Sequence, residues 1–332
     1  MSDVQTVTVL EDEAGMRLDR WFKVHFPNVK HGALEKLLRT GQIRVAGGRA
    51  KSSRRLEAGE SVRVPPLPED ATASGPAKKT AAAPSAADIK ALREMTLYED
   101  AVLLVLSKPF GLAVQGGAKT SRHIDGMLAA IEKNGERPRL VHRLDRDTGG
   151  LLVLAKTRAA AASLGAAFQG RDIEKTYWAL VAGMPAPREG TIDLSVAKRV
   201  ARARKGLQER VIATADENAK RAITHYQLVD EAGRRAAFLA LKPVTGRTHQ
   251  LRVHCAAIDT PIVGDRKYGG EASVIDGVSD RLHLFCKTMS FPHPATGDAM
   301  TLTAPLTGHM RESWAFFGFD PDIRVEWPEI AP

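Results

Sequence analysis

The 332-residue sequence is poor in the features of secreted, membrane and disulfide-bonded proteins. It contains two cysteines, Cys255 and Cys286, which are too few for a disulfide framework or a four-cysteine metal site. Its longest uninterrupted run of large aliphatic residues, Val102–Leu106, is far shorter than the roughly 18 residues needed to span a bilayer. The acidic first fifteen residues lack the basic and apolar regions of a secretory signal. These absences predict a soluble, cytoplasmic protein that makes no use of a membrane.

Acidic residues are fewer than basic residues, and this difference is unevenly distributed along the chain. The sequence has 48 Lys and Arg against 39 Asp and Glu, with 43% hydrophobic residues, which excludes wholesale disorder. Between positions 16 and 66, twelve basic residues stand against four acidic ones, so this segment carries most of the net charge of +9. A positive field confined to one small segment is typical of a module that binds a polyanion.

The basic segment has its own periodicity. Leu18, Trp21 and Phe22 are spaced as on a short helix, and a second amphipathic helix precedes Gly41. Alternation around Ile43 and Val62 then predicts a small sheet. Two interpretations stay open on these residues alone, a solvated basic module that aids solubility and a module whose cations contact nucleic-acid phosphates. The second interpretation assigns RNA contacts to Arg17, Arg20, Lys36, Arg39 and Arg44.

Composition also predicts the domain boundaries. Residues 67–92 are rich in Ala, Pro, Ser, Gly and Lys, which is typical of a flexible linker. We therefore expect an N-terminal tail at 1–15, a small domain at 16–66, this linker, and a large domain at 93–332.

The large domain is predicted to be α+β, with a mixed and mainly antiparallel sheet. Short strand-like segments do not alternate regularly with helices, and no glycine-rich fingerprint for a dinucleotide or a nucleoside triphosphate is present. The predicted strands are 97–106, 151–155, 177–181, 224–229, 237–241 and 300–302. The predicted helices are 124–133, 159–169 and 247–257.

A first polar cluster, His142–Gly150, lies between two apolar strands. Several titratable side chains there are costly unless they face a surface or a cleft. One interpretation is a polar loop held by an Arg–Asp pair. The other is a catalytic carboxylate at a strand end, with an arginine beside it that steers an anion.

Two further clusters follow along the chain. In Lys175–Val181 the adjacent Tyr177 and Trp178 point to opposite faces of a strand, so one of them belongs to the core and the other is free to stack on a base. In Pro243–His254 a Thr-Gly pair leads into a helix, whose first N–H groups form a natural anion site if the helix starts near Thr248. The alternative for the first of these clusters is that both aromatic side chains pack in the core. The alternative for the second is a basic helix without a binding role. The five-residue spacing of His249 and His254 disfavours a metal site.

Together the clusters resemble the pseudouridine synthases that act on large-subunit ribosomal RNA and some tRNAs. The family motif H-R-L-D-x-x-T-S-G corresponds to His142–Gly150, K-x-Y to Lys175–Tyr177, and G-R-T-H-Q-I/L-R-V-H to Gly246–His254. The string at 113–117 and Arg146-Asp147-Thr148 are most similar to the branch of large-subunit (23S) rRNA synthases C. The segment at 17–45 resembles a small RNA-binding domain shared with a ribosomal protein and tyrosyl-tRNA synthetases.

The resemblance implies a pseudouridine synthase fold, no cofactor and no metal, and a role for each matching residue. Asp145 corresponds to the essential aspartate and Arg252 to its partner arginine. Tyr177 corresponds to the tyrosine that packs under the everted base. Further substrate contacts are implied for Arg143, which helps to extrude the nucleotide, for Leu284 as an apolar wall, and for His142, Arg247 and Thr248 around the site.

Two departures from the family pattern stand close to these motifs. Gly149 occupies a position that is usually serine, and Phe285-Cys286 replaces a common His-Ala pair. Since that serine is not the catalytic group, the departure at Gly149 leaves activity intact, whereas the second departure bears on packing near the site.

We therefore predict an enzyme that isomerises uridine to pseudouridine in 23S ribosomal RNA and acts as a monomer. One alternative is a relative directed at tRNA, and the other is a non-catalytic RNA-binding factor of ribosome assembly. The presence of Asp145 favours an enzyme over the second alternative.

Overall fold

The computed structural model describes residues 4–67, 85–116, 120, 122–133, 135–170, 172–203, 206–214, 216 and 219–327. The chain divides into two compact units, Met1–Thr80 and Ala81–Pro332, and each is described by itself.

The small unit packs two helices on a four-stranded antiparallel sheet. Its elements are β1 (Gln5–Thr8), α1 (Leu18–His25), α2 (His31–Arg39), β2 (Arg44–Val45), β3 (Gly48–Arg49) and β4 (Ser61–Val64), with strand order β1-β4-β2-β3. The predicted apolar faces of the helices form the core, in which Leu18, Trp21 and Phe22 are almost completely buried. The indole N–H of Trp21 donates to the buried carboxylate of Glu13 at 2.9 Å.

Two predicted boundaries of this region need correction. Residues 1–15 are not simply a tail, because Gln5–Thr8 pairs with β4 and Val7 packs on the core; the acidic composition concealed this short alternating strand. Part of the predicted linker is helical, because the Ser85 hydroxyl caps a helix at Ala86 by accepting from the Asp88 N–H. Residues 68–84 of that linker lie outside the described residues. The assignment of 16–66 to RNA binding and of 93–332 to catalysis stays a prediction.

The larger unit is built around one large sheet. Its helices within the described residues are α3 (Ala86–Met95), α4 (Ile124–Met127), α5 (Arg158–Gly170), α6 (Gln250–Ala257) and α7 (Gly308–Phe317). Its strands there are β5 (Thr96–Glu99), β6 (Leu103–Lys108), β7 (Arg139–Leu140), β8 (Gly149–Ala155), β9 (Glu174–Ala182), β10 (Glu189–Asp193), β11 (Val196–Ala203), β12 (Gly206–Ala213), β13 (Ile223–Ala232), β14 (Ala236–Pro243), β15 (Leu284–Pro292) and β16 (Ala299–Thr303).

The sheet confirms the predicted α+β class. Ten strands pair in the order β10-β13-β14-β9-β15-β8-β6-β5, with β16 on β15 and β7 on β8. The pairings are antiparallel apart from β8 with β15. The fully buried strand β8 therefore lies near the centre of the sheet, and the first polar cluster leads directly into it.

The two faces of β9 have different neighbours. Trp178 is buried and packs against Phe238 and Trp314, with ring centroids 4.7 and 6.1 Å away. Tyr177, one residue earlier, points to the other face and is only half-buried. The alternation of side chains along a strand thus produces the separation expected from the sequence.

Some element predictions differ from the structure. The expected strand 97–106 is a hairpin of β5 and β6, because the Asp100 carboxylate accepts from the N–H groups of Val102 and Leu103 and turns the chain. The expected helix 124–133 is one α-turn followed by a 3-10 helix at Leu128–Ile131. Strand β15 was not predicted, although it is central to the sheet. Among the described residues, no helix is long and apolar enough to cross a membrane.

Candidate active site

The three polar clusters meet at one cavity of the larger unit, with a volume of about 940 Å³, here called the active-site cavity. It brings together the eight residues of this unit for which catalytic or substrate-binding roles were predicted. They are His142, Arg143, Asp145, Tyr177, Arg247, Thr248, Arg252 and Leu284.

Asp145 lies on the loop between β7 and β8, and 32% of its side chain is exposed to the cavity. The loop turns tightly because the Thr148 N–H donates to the Asp145 carbonyl. Gly150 then enters β8 with φ of 103°, where a Cβ atom would lie 2.2 Å from the carbonyl oxygen of Cys286. Since L side chains rarely adopt such a φ, glycine is required where the loop meets the sheet.

A buried lysine, Lys108, is hydrogen-bonded to the loop that carries Asp145. Its Nζ donates to the carbonyl oxygens of Arg146, Pro109 and Leu112 at 2.8–2.9 Å. Burial lowers the pKa of Lys108 to about 7, against the opposing attraction of Asp147 and Asp145. The hydrogen bond to Arg146 ties β6 to the residue that follows Asp145.

Arg252 lies beside Asp145, as predicted, but its hydrogen bonds go to another carboxylate. Its Nη1 is 3.7 Å from Asp145 Oδ2, whereas Nε and Nη2 each donate to Asp265 at 2.7 Å. Burial lowers the pKa of the guanidinium, but the hydrogen bonds and charge of Asp265 outweigh this and raise it overall. Asp265 therefore fixes Arg252 as a permanent cation that faces Asp145.

His249 is a site residue that the sequence interpretation considered only as a metal ligand. Its Nε2 is 3.6 Å from Asp145 Oδ2, and its Nδ1 is 2.5 Å from the Tyr268 hydroxyl. Burial lowers the pKa of His249, opposed by the charge of Asp145. Burial raises the pKa of Tyr268, so the phenol is the donor to Nδ1. In the neutral imidazole the remaining proton is then on Nε2, facing Asp145.

The backbone around His249 explains this placement. His249 adopts a left-handed conformation with φ of 55°, which is uncommon for a residue other than glycine. The predicted helix start at Thr248 is therefore wrong, and α6 begins at Gln250. The Gln250 carboxamide accepts from the Arg247 N–H at 3.0 Å and from the Thr245 hydroxyl at 2.7 Å, so a side chain satisfies part of this turn. Thr248 and Arg252 consequently do not share a helix face.

Tyr177 lines the same cavity from β9. Its hydroxyl donates to the Cys286 thiol on the neighbouring strand β15. Burial raises the pKa of Tyr177 well above 10, and burial raises the pKa of Cys286 to about 12, so both groups are neutral near pH 7. The tyrosine offers a ring and a neutral phenol to whatever occupies the cavity.

The remaining predicted site residues either support the active-site cavity from inside the protein or lie at its rim. His142 stacks on Phe168, and its Nε2 accepts from the Val153 N–H at 2.8 Å, so it braces the loop against β8. Burial lowers the pKa of His142 to about 3, which keeps this imidazole neutral. Leu284 is buried and forms part of the apolar wall.

The exposed members of the site lie at the rim of the cavity. Arg143 donates to the Gln115 side chain at 3.1 Å, and Arg247 donates to the Arg221 carbonyl at 3.3 Å. Thr248 is exposed beside Arg247. These groups are placed for contacts with a substrate backbone rather than with the reacting atoms.

The two departures from the family pattern contact each other. Phe285 and Gly149 are register partners on β15 and β8. A Cβ atom at Gly149 would lie 2.8 Å from the Phe285 ring and 2.9 Å from the Phe110 ring. The large aromatic at 285 thus occupies the space that a side chain at 149 would need, which explains why glycine stands there.

A basic hairpin formed by β11 and β12 was also missed. Positions 198–210 carry six Lys or Arg and one acidic residue. The hairpin pairs outside the main sheet, and Val196 and Val211 at its base pack on Val253 of α6. Arg210 lies 5.3 Å from the centroid of the Tyr268 ring. The local charge run in the sequence was the available signal.

The candidate RNA-contacting residues of the small unit are all exposed there. Arg20 lies on α1, and Lys36 and Arg39 share a face of α2. Arg17 pairs with Asp19 at 2.6 Å, and Arg44 donates to the carbonyl oxygens of Gly41 and Gly47 at 3.3 Å, so these two are partly engaged within the unit.

Within the described residues, no group of three or more His, Cys, Asp or Glu side chains is arranged to hold a metal ion. Around Asp145 the cavity combines one accessible carboxylate with a fixed guanidinium, a neutral imidazole and a neutral phenol, and its further cations are Arg143, Arg146, Lys175 and Arg247. Such a set can supply a nucleophile or a base next to a ring that stacks.

Comparisons with known proteins agree with this geometry. Residues 102–257 match the family described as RNA pseudouridylate synthase. "Ribosomal large subunit pseudouridine synthase C" of Salmonella typhi is 34% identical over 313 residues, covering 93% of this chain and 95% of that protein. The protein of the same name from Escherichia coli K12 is 34% identical over 308 residues, covering 91% and 93%.

Solved structures give the same result. The structure of human RNA pseudouridylate synthase domain containing 4 has a TM-score of 0.57 and 27% identity, covering 70% of this chain and 96% of that one. Since the similarity to the curated relatives spans nearly the whole chain and the matched region contains the carboxylate, the guanidinium and the tyrosine of the active-site cavity, the chain belongs to the family of RNA pseudouridine synthases.

Proposed function

We propose that this enzyme isomerises uridine to pseudouridine in large-subunit ribosomal RNA, with Asp145 as its catalytic carboxylate. The observation that carries the assignment of Asp145 is its position, part-exposed in the active-site cavity, 3.7 Å from Arg252 and 3.6 Å from His249. The choice of RNA rests on relatives whose name specifies the ribosomal large subunit.

The reaction is a balanced rearrangement within one nucleotide. The bond from the ribose C1′ to the uracil N1 breaks, a bond from C1′ to C5 forms, the C5 proton leaves and N1 gains a proton. Asp145 either attacks C1′ or removes the C2′ proton, and both roles require an ionised carboxylate. The Arg252 guanidinium lies 3.7 Å from this carboxylate. Because no electron or donor group enters, the chain needs no cofactor.

The other cavity residues act on the base and the backbone. Tyr177 packs under the everted uracil and offers its ring for stacking. Leu284 closes the apolar side of the pocket. Removing a base from its stack costs a few kcal/mol, and contacts from Arg143, Arg247 and Thr248 to the surrounding RNA offset this cost. His142 acts from behind by holding the loop of Asp145.

The RNA is held over a wider surface. The cations of the small unit and the basic hairpin neutralise phosphates on either side of the target. We further propose that the enzyme works as a monomer in the cytoplasm, since one chain carries every group that the reaction uses.

Asp145→Asn tests the proposal. Pseudouridines in large-subunit RNA and in tRNA are mapped by chemical modification and sequencing, in cells that carry the wild-type chain, the variant or no gene. We expect at least one large-subunit site to vanish without the gene and to stay absent with Asp145→Asn. Asp125→Asn, a matched change at an exposed carboxylate paired with Arg137, restores it.

Three outcomes would contradict the proposal in different ways. Pseudouridine formed by Asp145→Asn would show that another group performs the catalysis. Loss of a tRNA pseudouridine, with the ribosomal sites intact, would redirect the enzyme to tRNA. Loss of no site at all would favour the non-catalytic assembly factor.

A further inference from the structure

A second cavity, of about 270 Å³, lies next to the active-site cavity. Arg252 lines both, so the two cavities share a wall at the guanidinium that faces Asp145. The second cavity is also lined by Asp147 from the Asp145 loop, by Phe110, by the residues that follow Gly264, and by Arg281 and His309. Apart from Arg252, none of the residues that line this cavity has a role predicted from the sequence.

His309 gives the second cavity a buried hydrogen-bond acceptor. The residue is 4% exposed, and its Nε2 donates to the Leu282 carbonyl at 2.9 Å. In the neutral ring the lone pair is then on Nδ1. This Nδ1 is one of the few buried side-chain polar atoms of the described residues without a hydrogen-bond partner. Buried polar atoms are normally paired, and His309 lines the second cavity, so a ligand bound there can donate the missing hydrogen bond.

The groups facing His309 keep the ring neutral. His283 and Phe110 contact it edge-on, with ring centroids 4.7 and 4.3 Å away. Burial lowers the pKa of His309, and the positive charge of Arg281 lowers it further, opposed by the Leu282 hydrogen bond and by Glu312. The acceptor is therefore available across the neutral pH range.

The other walls of the second cavity favour an anion. Four cations line it, Arg252, Arg266, Lys267 and Arg281, against the three carboxylates Asp147, Asp265 and Asp280. The carboxylates already face cations, since Arg252 binds Asp265, Arg146 binds Asp147, and Arg266 lies 3.8 Å from Asp280. The Arg281 guanidinium reaches across to Gly111, where an added Cβ atom would be 3.8 Å from its Nη2.

We propose that the second cavity binds the ribose and phosphate of a nucleotide that flanks the target uridine, with its 2′-hydroxyl donating to His309 Nδ1 and its phosphate facing Arg281. The volume suits one such unit, just below the range of pockets for drug-sized ligands. A 2′-hydroxyl is the group by which a protein distinguishes RNA from DNA at a single position. The inference rests on the proposed function for the identity of the substrate as RNA.

The test is a scan of 2′-deoxy substitutions in a ribosomal RNA stem-loop that contains the target uridine, with the uridine itself unchanged. Equilibrium binding and single-turnover pseudouridine formation are measured for each RNA. With the wild-type enzyme we expect one flanking position at which the deoxy sugar weakens binding about fivefold.

Two matched variants of His309 identify the acceptor. Gln places its amide near the Nε2 position and keeps a donor for Leu282, but offers no acceptor where Nδ1 lies. Asn places its carbonyl oxygen near the Nδ1 position. We expect His309→Gln to bind the normal and the deoxy RNA equally, and His309→Asn to retain the difference. Melting temperatures of both variants verify that they fold.

Arg281→Gln is expected to lower RNA affinity and to reduce the slope of log Kd against log salt by about one. Arg311→Gln, an exposed arginine on α7 outside the lining of the second cavity, is the control and is expected to have no such effect.

The proposal is overturned if no flanking 2′-deoxy position affects the wild type more than His309→Gln, or if Arg281→Gln behaves as Arg311→Gln. A loss of affinity in Arg281→Gln without any 2′-hydroxyl effect also overturns it, because the cavity then recognises an anion and not a ribose. In each of these cases continued pseudouridine formation leaves the proposed function intact, whereas a wild-type enzyme that forms none removes the proposed function instead.

Discussion

At the scale of single residues, the site depends on side chains that hold other side chains. Arg252 faces Asp145 because Asp265 grips two of its nitrogens, and His249 presents Nε2 to Asp145 because Tyr268 occupies Nδ1. The Tyr268 ring also lies under Arg252, with the guanidinium carbon 5.1 Å from its centroid. One tyrosine therefore supports both partners of the carboxylate.

Tyr268→Phe separates these two roles, because it keeps the ring under Arg252 and removes the donor to His249. Without that donor Nδ1 is free to take a proton, so the pKa of His249 rises. We expect the pH profile of single-turnover pseudouridine formation to shift toward higher pH relative to the wild type. Parallel pH profiles for variant and wild type would show that Tyr268 does not set the protonation of His249.

The contact between Gly149 and Phe285 predicts a coupled pair of substitutions. Gly149→Ser forces its side chain against two aromatic rings, and we expect the free energy of unfolding to fall by about 1–3 kcal/mol. Adding Phe285→His replaces one of those rings with a smaller one and is expected to recover much of the loss. Urea denaturation of the two single variants and the double variant measures the coupling. Strictly additive effects would argue against it.

At the scale of elements, the loop of Asp145 connects β7 to the buried strand β8, and its shape comes from the neighbouring strand β6. Lys108 at the end of β6 supplies the three hydrogen bonds that its neighbouring carbonyls need. A loop fixed in this way keeps Asp145 in place without a rigid helix or strand of its own.

Lys108→Met leaves three part-buried carbonyl groups without their donor, so we expect a loss of about 3 kcal/mol in the free energy of unfolding at pH 7. The folded lysine loses its proton near pH 7, whereas the unfolded one keeps it to about pH 10.4. In that window the unfolded state binds more protons, so the contribution of Lys108 to stability rises with pH.

Urea denaturation of wild type and Lys108→Met between pH 7 and pH 10 measures that difference directly. Lys90→Met, at an exposed lysine of α3, is the control and is expected to match the wild type. A gap that stays constant across this pH range would contradict the lowered pKa of Lys108.

At the scale of the whole molecule, positive charge is concentrated in two places, the small unit and the hairpin of β11 and β12. An RNA bound at several phosphates releases a counterion at each, so affinity falls steeply with salt. We propose that the two surfaces enlarge the footprint on RNA beyond the single nucleotide that enters the active-site cavity.

Replacing Arg20, Lys36 and Arg39 by Gln in the full chain tests the small unit. We expect weaker binding of ribosomal RNA fragments and a slope of log Kd against log salt that is lower by about two to three. The same changes at Lys90, Arg188 and Arg311, which are exposed cations of the larger unit, form the control. An unchanged slope in the first variant would remove the small unit from the RNA contacts.

The sequence by itself determined the class of fold and the residues of the active-site cavity. Periodicity predicted α5, β8, β9, β13 and β14, because buried faces demand apolar residues at regular spacing. The polar clusters that interrupt these strands could be recognised in the sequence for the same reason. The similarity to a known family then supplied the proposed roles of Asp145, Arg252 and Tyr177.

Only the tertiary structure determined which side chains contact each other. The pairing of Arg252 with Asp265, the contact of Gly149 with Phe285 and the cavity around His309 join residues far apart in the chain. Local patterns carry no information about such contacts, because a side chain's partner is set by how distant strands align. Periodicity shows that a residue is buried, but only the packed fold shows which residues it contacts.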